Sequence, residues 1–134
     1  MRTSRYLSWW PSTLTLAVVL YATLYPDPAG VDELPAIPHL DKLIHALMFG
    51  GLAGAWAFDY CRTRHLERPP RRVMLSAALV SAALGGLIEL LQDAMGLGRG
   101  ADMLDFAADS IGCVAAFFLA PPAIRAVLRP RQTN

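Results

Sequence analysis

Four apolar runs separated by short polar segments dominate the chain. Residues 8–25 carry no charged side chain over 18 positions, and residues 43–60, also 18, hold only His45 inside and Asp59 near the end. Residues 73–92 span 20 positions with a single charge, Glu89, and residues 103–120 carry Asp105 and Asp109 in what would be the first two helical turns. A helix needs about 20 apolar residues to cross a hydrocarbon core of roughly 30 Å. The pattern therefore predicts an all-α chain, a polytopic bundle of four transmembrane helices at 8–25, 43–60, 73–92 and 103–120. Residues 1–134 form one domain in this reading. Helices of a soluble bundle would show a polar stripe at a 3.6-residue period, and the first and third runs show none. Pro121 and Pro122 are expected to end or kink the last helix, leaving a tail over 121–134 with a short interfacial turn at 123–128.

Composition agrees. With 54% hydrophobic and 17% charged residues and a mean hydropathy of +0.37, the chain does not read as disordered, as a nucleic-acid-binding module or as an ordinary soluble enzyme. Arg2 and Arg5 ahead of the first run imitate a secretory signal, but Pro26-Asp27-Pro28-Ala29-Gly30 offers no A-x-A cleavage pattern, so an uncleaved helix is expected.

The net charge of +1 conceals a separation by side. Ten of the 12 Lys and Arg residues fall before the first run, between the second and third, or after the fourth; nine of the 11 acids, all but Asp59 and Glu67, fall on the opposite side. The positive-inside rule makes the basic side cytoplasmic and places both termini there. The basic segment 61–72 reads as a topology signal rather than a nucleic-acid patch. Cys61 and Cys113 differ in depth by about half a bilayer, which disfavours a disulfide, and the chain lacks the CxxC or HxxxH spacing of a zinc site. No cofactor and no metal ligand set is assigned.

Ionisable groups within a span are expensive and call for a reason. Here they gather at one level. Asp41, Lys42 and His45 open the second helix; Glu89, Gln92 and Asp93 close the third; Arg99, Asp102, Asp105 and Asp109 lead into the fourth. The spacings, i,i+4 for Asp41/His45, i,i+3 for Glu89/Gln92 and threes and fours for the aspartates, align each set on one helix face. Below them, Ala77, Ser81 and Gly85 lead to Glu89, and Ala108, Gly112 and Ala116 continue from Asp105. Small residues let helices approach closely, so the third and fourth helices should pack along these strips and bring Glu89 against Asp105 and Asp109. Gly50 and Gly54 lie almost opposite His45 and are expected to pack the first helix or a second copy of the chain. Asp41 and Asp102 suit helix capping. His45 and Glu89, deeper in their spans, suit a polar pocket at the outer surface.

The set Asp41-Lys42-x-x-His45, Glu89-x-x-Gln92 and Arg99-x-x-Asp102-x-x-Asp105, closed by Gly112, resembles the VanZ-like membrane proteins over about residues 40–118. The family usually has Asn where this chain has Asp109. The resemblance implies a small four-helix protein of the bacterial cytoplasmic membrane, in a family whose namesake is associated with teicoplanin resistance. The partners it suggests are membrane lipids and a cell-wall precursor or lipoglycopeptide.

Three functional readings follow. The first is a non-enzymatic envelope protein whose pocket, formed by Asp41, Lys42, His45, Glu89, Gln92, Arg99, Asp102, Asp105 and Asp109, engages a headgroup. The second is an intramembrane hydrolase or transferase on a lipid-linked substrate, with His45 as base or metal ligand, Glu89, Asp102 and Asp105 as acids or ligands, and Mg²⁺ or Ca²⁺ preferred by the oxygen-rich set. Against it, Gly96-Leu97-Gly98-Arg99-Gly100 reads as a turn rather than a phosphate cradle, and no nucleophile motif appears. The third, a proton-coupled transporter or channel, needs a relay through the membrane, and the inner halves of helices two to four have almost no ionisable group to supply it.

Overall fold

The computed structural model describes residues 9–25, 38–96 and 102–129, and among them the chain is all-helical, without a strand. Helix α1 covers Trp10–Leu24, α2 Leu40–Arg64, α3 Arg71–Met95 and α4 Met103–Leu128. The expected helices are present, but α2 and α3 extend beyond their apolar runs. A hydropathy window stops at the first charges, whereas Lys42, Arg62 and Arg64 are good helix formers, and Asp41 in the first turn and the arginines in the last suit the helix dipole.

Three contacts give the topology. Gln92 Nε2 donates to the Thr23 carbonyl at 2.7 Å, joining the end of α3 to the end of α1. Lys42 Nζ reaches Asp102 Oδ2 at 2.7 Å, joining the start of α2 to the start of α4. Asp59 Oδ2 accepts the Ser12 backbone N–H at 2.9 Å and the Ser12 hydroxyl at 2.5 Å, joining the end of α2 to the start of α1. Successive helices are therefore antiparallel, with α2 touching all three others and α1 touching α2 and α3.

The most extensive contact is α2 with α4. It closes on backbone: a Cβ on Gly50 would lie 2.7 Å from the Gly112 carbonyl oxygen, and one on Gly112 would collide with the Ala46 carbonyl. A Cβ on Gly54 would meet Ala120, also on α4. This corrects the expected placement of the Gly50/Gly54 pair: it packs on α4 within the chain, in place of the first helix or a second copy. The physical reason is that the α2 contact face follows Ala46, Phe49/Gly50, Ala53 and Ala57, at threes and fours. His45 stands at the flank of that face, so position relative to His45 alone misjudges it.

A second correction concerns α4. Pro121 and Pro122 lie inside it, and it runs on to Leu128. Two backbone donors are lost there, yet Pro121 is buried and Ile124 packs with Ala57, Cys61 and Met74. Packing of the last turns against α2 and α3 holds the helical path past the prolines. The segment 123–128, expected as an interfacial turn, is helix.

The interior is built of small side chains. Ala53, Ala57, Ala77, Ala78, Ala108 and Ala116 are buried, with Phe49, Leu52, Met74 and Ile88 among the few large ones. The large apolar residues face outward on every helix: Leu14, Val18, Leu47, Leu79, Leu90, Ile111, Phe118 and Leu119 are all more than half exposed. Helices α3 and α4 are each long and apolar enough to cross a membrane, and α1 is a shorter apolar helix. Cys61 and Cys113 are buried in separate clusters and are not bonded to each other.

Candidate functional site

Asp102 begins the site. It sits in an extended conformation as the N-cap of α4, and its Oδ1 accepts the Leu104 N–H at 2.8 Å, satisfying a donor the helix cannot pair itself. Asp102-x-x-Asp105 has the spacing of a capping box, in which the second acid would return to the N-cap N–H. Here Asp105 turns to Lys42 instead, and Glu89 of α3 takes its place: the Asp102 N–H donates to Glu89 Oε2 at 2.8 Å. The start of α4 is thus capped partly by another helix, which locks α3 to α4.

Lys42 is the hub at the rim. Its ammonium lies 2.5 Å from Asp105 Oδ1, 2.7 Å from Asp102 Oδ2 and 2.9 Å from Asp41 Oδ2. Hydrogen bonds to Asp102 and then Asp105 hold its proton well above the usual lysine range. The same ammonium, with the Leu104 N–H, holds the Asp102 carboxyl below the usual carboxylate range, and it lowers Asp41 likewise.

One turn deeper, His45 Nδ1 lies 2.9 Å from Asp109 Oδ1, while His45 Nε2 lies 3.9 Å from Asp105 Oδ2. Asp109 is fully buried and Glu89 is 5% exposed. Ligand atoms of His45, Glu89 and Asp109 all lie within 4.8 Å of one another. Glu89 Oε1 and Asp109 Oδ2 have no hydrogen-bond partner among the described residues. Gly85 makes this depth attainable, because a Cβ there would lie 2.5 Å from Asp109 Oδ2. The small-residue strips, Ala77-Ser81-Gly85 on α3 and Ala108-Gly112-Ala116 on α4, are buried, and Gly85 brings α3 against Asp109 of α4; Gly112, expected to face α3, instead closes on Ala46 and Gly50 of α2.

Of the residues expected at the site, Lys42, His45, Glu89, Asp102, Asp105 and Asp109 come together. Asp41 joins through Lys42 from an exposed position and makes no side-chain cap; His39 is the N-cap of α2, also without one. Gln92 does not join: it is buried against α1 and its amide is committed to Thr23. It shares the Glu89 face only approximately, since i,i+3 neighbours diverge by about 60°. Arg99 lies outside the described residues.

One residue was missed. Asp59 is fully buried at the other end of α2, bound to Ser12 and within 3.4 Å of Arg62. That end was expected to hold no comparable polar cluster. The signal was an acid inside an apolar run with Arg at i+3. The partner across the bundle was not legible, because Ser12 reads as one more small residue of the first run. Two apolar grooves lie away from the Lys42 and His45 groups, one among Trp9, Trp56, Tyr60 and Arg72, the other between α3 and α4 at Leu79, Ser110 and Phe118. Compared with known protein families, curated proteins and solved structures, the chain matches none.

Proposed function

We propose that this chain is a VanZ-like multi-spanning protein of a bacterial cytoplasmic membrane. All four helices span, both termini are cytoplasmic, and the Lys42–His45–Glu89–Asp109 end faces outward as a non-enzymatic envelope-binding site. The observation that carries the reading is the combination at one end of the bundle: ionisable groups from three helices converge inside it, while its outer surface is large and apolar. In water such a surface would be an aggregation liability far beyond an ordinary patch; in lipid it is the expected exterior, with small residues inside. The orientation is supported by the sequence positions of ten of the 12 cations, before the first apolar run, between the second and third, and after the fourth.

An outward site of this kind suits a lipid or cell-wall-precursor headgroup bearing hydrogen-bond donors, since its acids outnumber its cations. The family resemblance adds lipoglycopeptide resistance as the process to examine. The test is expression in a susceptible bacterium with teicoplanin and envelope-stress readouts. Glu89→Gln and Lys42→Gln should each abolish the phenotype while the protein remains in the membrane fraction. A normal phenotype from both, at normal abundance, would sink the reading.

The intramembrane hydrolase or transferase is kept as a second reading because His45 and Asp109 form a hydrogen-bonded pair of the kind that orients a general base. Turnover of a lipid-linked substrate by the purified chain, lost in His45→Gln, would favour it over binding alone.

A further inference from the structure

Among the described residues, charge does not balance one turn below the rim. Glu89 and Asp109 are buried carboxylates, and among the described residues no Lys or Arg touches either. Lys42, at the same end of the bundle, is committed to Asp41, Asp102 and Asp105. Each of the two buried carboxylates has one oxygen held, Glu89 Oε2 by the Asp102 N–H and Asp109 Oδ1 by His45, and one oxygen without a partner. Leaving a charged oxygen buried and unpaired costs more than a neutral donor would.

We infer that His45, Glu89 and Asp109 bind one divalent first-row transition-metal ion, of the Zn²⁺ or Mn²⁺ kind. The three ligand atoms already lie within 4.8 Å of one another. A tetrahedral site with bonds near 2.0–2.1 Å needs ligand atoms about 3.3 Å apart, a contraction that terminal side-chain torsions supply. A divalent charge offsets the two carboxylates, and the two orphaned oxygens are the ones available to it. With Nδ1 turned from Asp109 Oδ1 to the ion, His45 Nε2 would face Asp105 Oδ2, which stands 3.9 Å away and would have to close by about 1 Å to hydrogen-bond and orient the imidazole; Lys42 holds Asp105 at that side.

The sequence favoured Mg²⁺ or Ca²⁺ for an oxygen-rich set that included Asp102 and Asp105. Those two are taken by Lys42, which leaves one imidazole nitrogen with two carboxylates. That mixed set suits transition metals better than Mg²⁺ or Ca²⁺.

The inference rests on reading this cluster as the functional site and names its ligand. It is tested on the full chain purified in detergent, independently of orientation or phenotype. After equilibrium dialysis with Zn²⁺ or Mn²⁺, elemental analysis should find one ion per chain, and the bound ion should raise the melting temperature. Glu89→Gln and Asp109→Asn should each weaken uptake by at least about tenfold and abolish the melting shift, whereas Asp93→Asn, an exposed residue outside the cluster, should change neither. Melting of the ion-free variants shows that they are folded. Absence of saturable uptake, preference for Mg²⁺ or Ca²⁺, or uptake unchanged in both site variants overturns the inference, and none of these touches the envelope phenotype by which the wider reading stands or falls.

Discussion

Lys42 holds three carboxylates at once, and its position makes the rim of the bundle sensitive to pH at two limits. Asp102 and Asp41 have carboxyls lowered by the ammonium, so their stabilisation is complete above the ordinary value of 3.8 and is lost as pH falls through their lower folded values. Lys42 is raised, so its contribution is complete below the ordinary 10.5 and is lost as pH rises through its higher folded value. Thermal melting in detergent should therefore be flat across that window as far as this network is concerned and fall at both ends. Lys42→Met should lower melting within the window and remove the alkaline decline. An unchanged alkaline limb in the variant would show that the network does not supply it.

The single residues of the site were legible in unequal measure. Asp102 as a cap and Glu89 against the α4 aspartates follow from spacing and small-residue strips alone, because both rest on local helical geometry. The partition of the acids does not. Whether Asp105 answers Lys42 or returns to cap its own helix depends on how α2 crosses α4, and that crossing is decided by a backbone contact at Gly50 and Gly112.

Among the elements, α1 shows how a helix can depend on a neighbour for its start. Its own N-cap, Trp9, supplies no side-chain bond, and Pro11 removes one donor. Asp59 completes the cap from α2. Asp59→Ala should destabilise the bundle by about 1–3 kcal/mol, the cost of losing hydrogen bonds to a buried charged acceptor, and the loss should concentrate in faster hydrogen exchange of α1. Uniform loss across all helices would argue against a capping role. At the far end of α2, His65 adopts φ 54 and the Leu66 N–H returns to the Cys61 carbonyl at 2.9 Å. Glycine takes that left-handed conformation without the side-chain penalty of about 1–2 kcal/mol, which exceeds its larger entropy loss of about 0.5–1 kcal/mol, so His65→Gly should stabilise by up to about 1 kcal/mol in denaturant titration. The prolines of α4 teach the complementary lesson. Residue chemistry argues for a break at 121–122, but burial of Pro121 and Ile124 outweighs two missing hydrogen bonds.

For the whole molecule, the telling property is the balance of surface and interior. A bundle with alanine and glycine between its helices and leucine and phenylalanine outside has the arrangement that the proposed membrane setting calls for, close helix contact in an apolar medium. Gly112 is the tightest point. Gly112→Val sets side-chain atoms against the Ala46 carbonyl, which cannot move without moving α2; a cost at or above the roughly 1–3 kcal/mol of ordinary overpacking is expected, read as loss of folded protein in detergent. Retention of wild-type stability would mean that the α2–α4 contact is looser than described. Helix number and the small-residue faces were readable along the chain because hydropathy and spacing are local properties. The partner of the Gly50/Gly54 pair and the buried Asp59–Ser12 tie were not, since each depends on which helix lies across.

Orientation is the central claim, and cysteine labelling tests it most directly. In a background with Cys61 and Cys113 replaced, single cysteines would be placed at the exposed positions Asp93, beside the polar site, and Glu67, in the basic segment. Intact cells would then be treated with a membrane-impermeant maleimide. Asp93→Cys is expected to label in intact cells and Glu67→Cys only after permeabilisation. The reverse pattern, or equal labelling of both before permeabilisation, would contradict the proposed orientation.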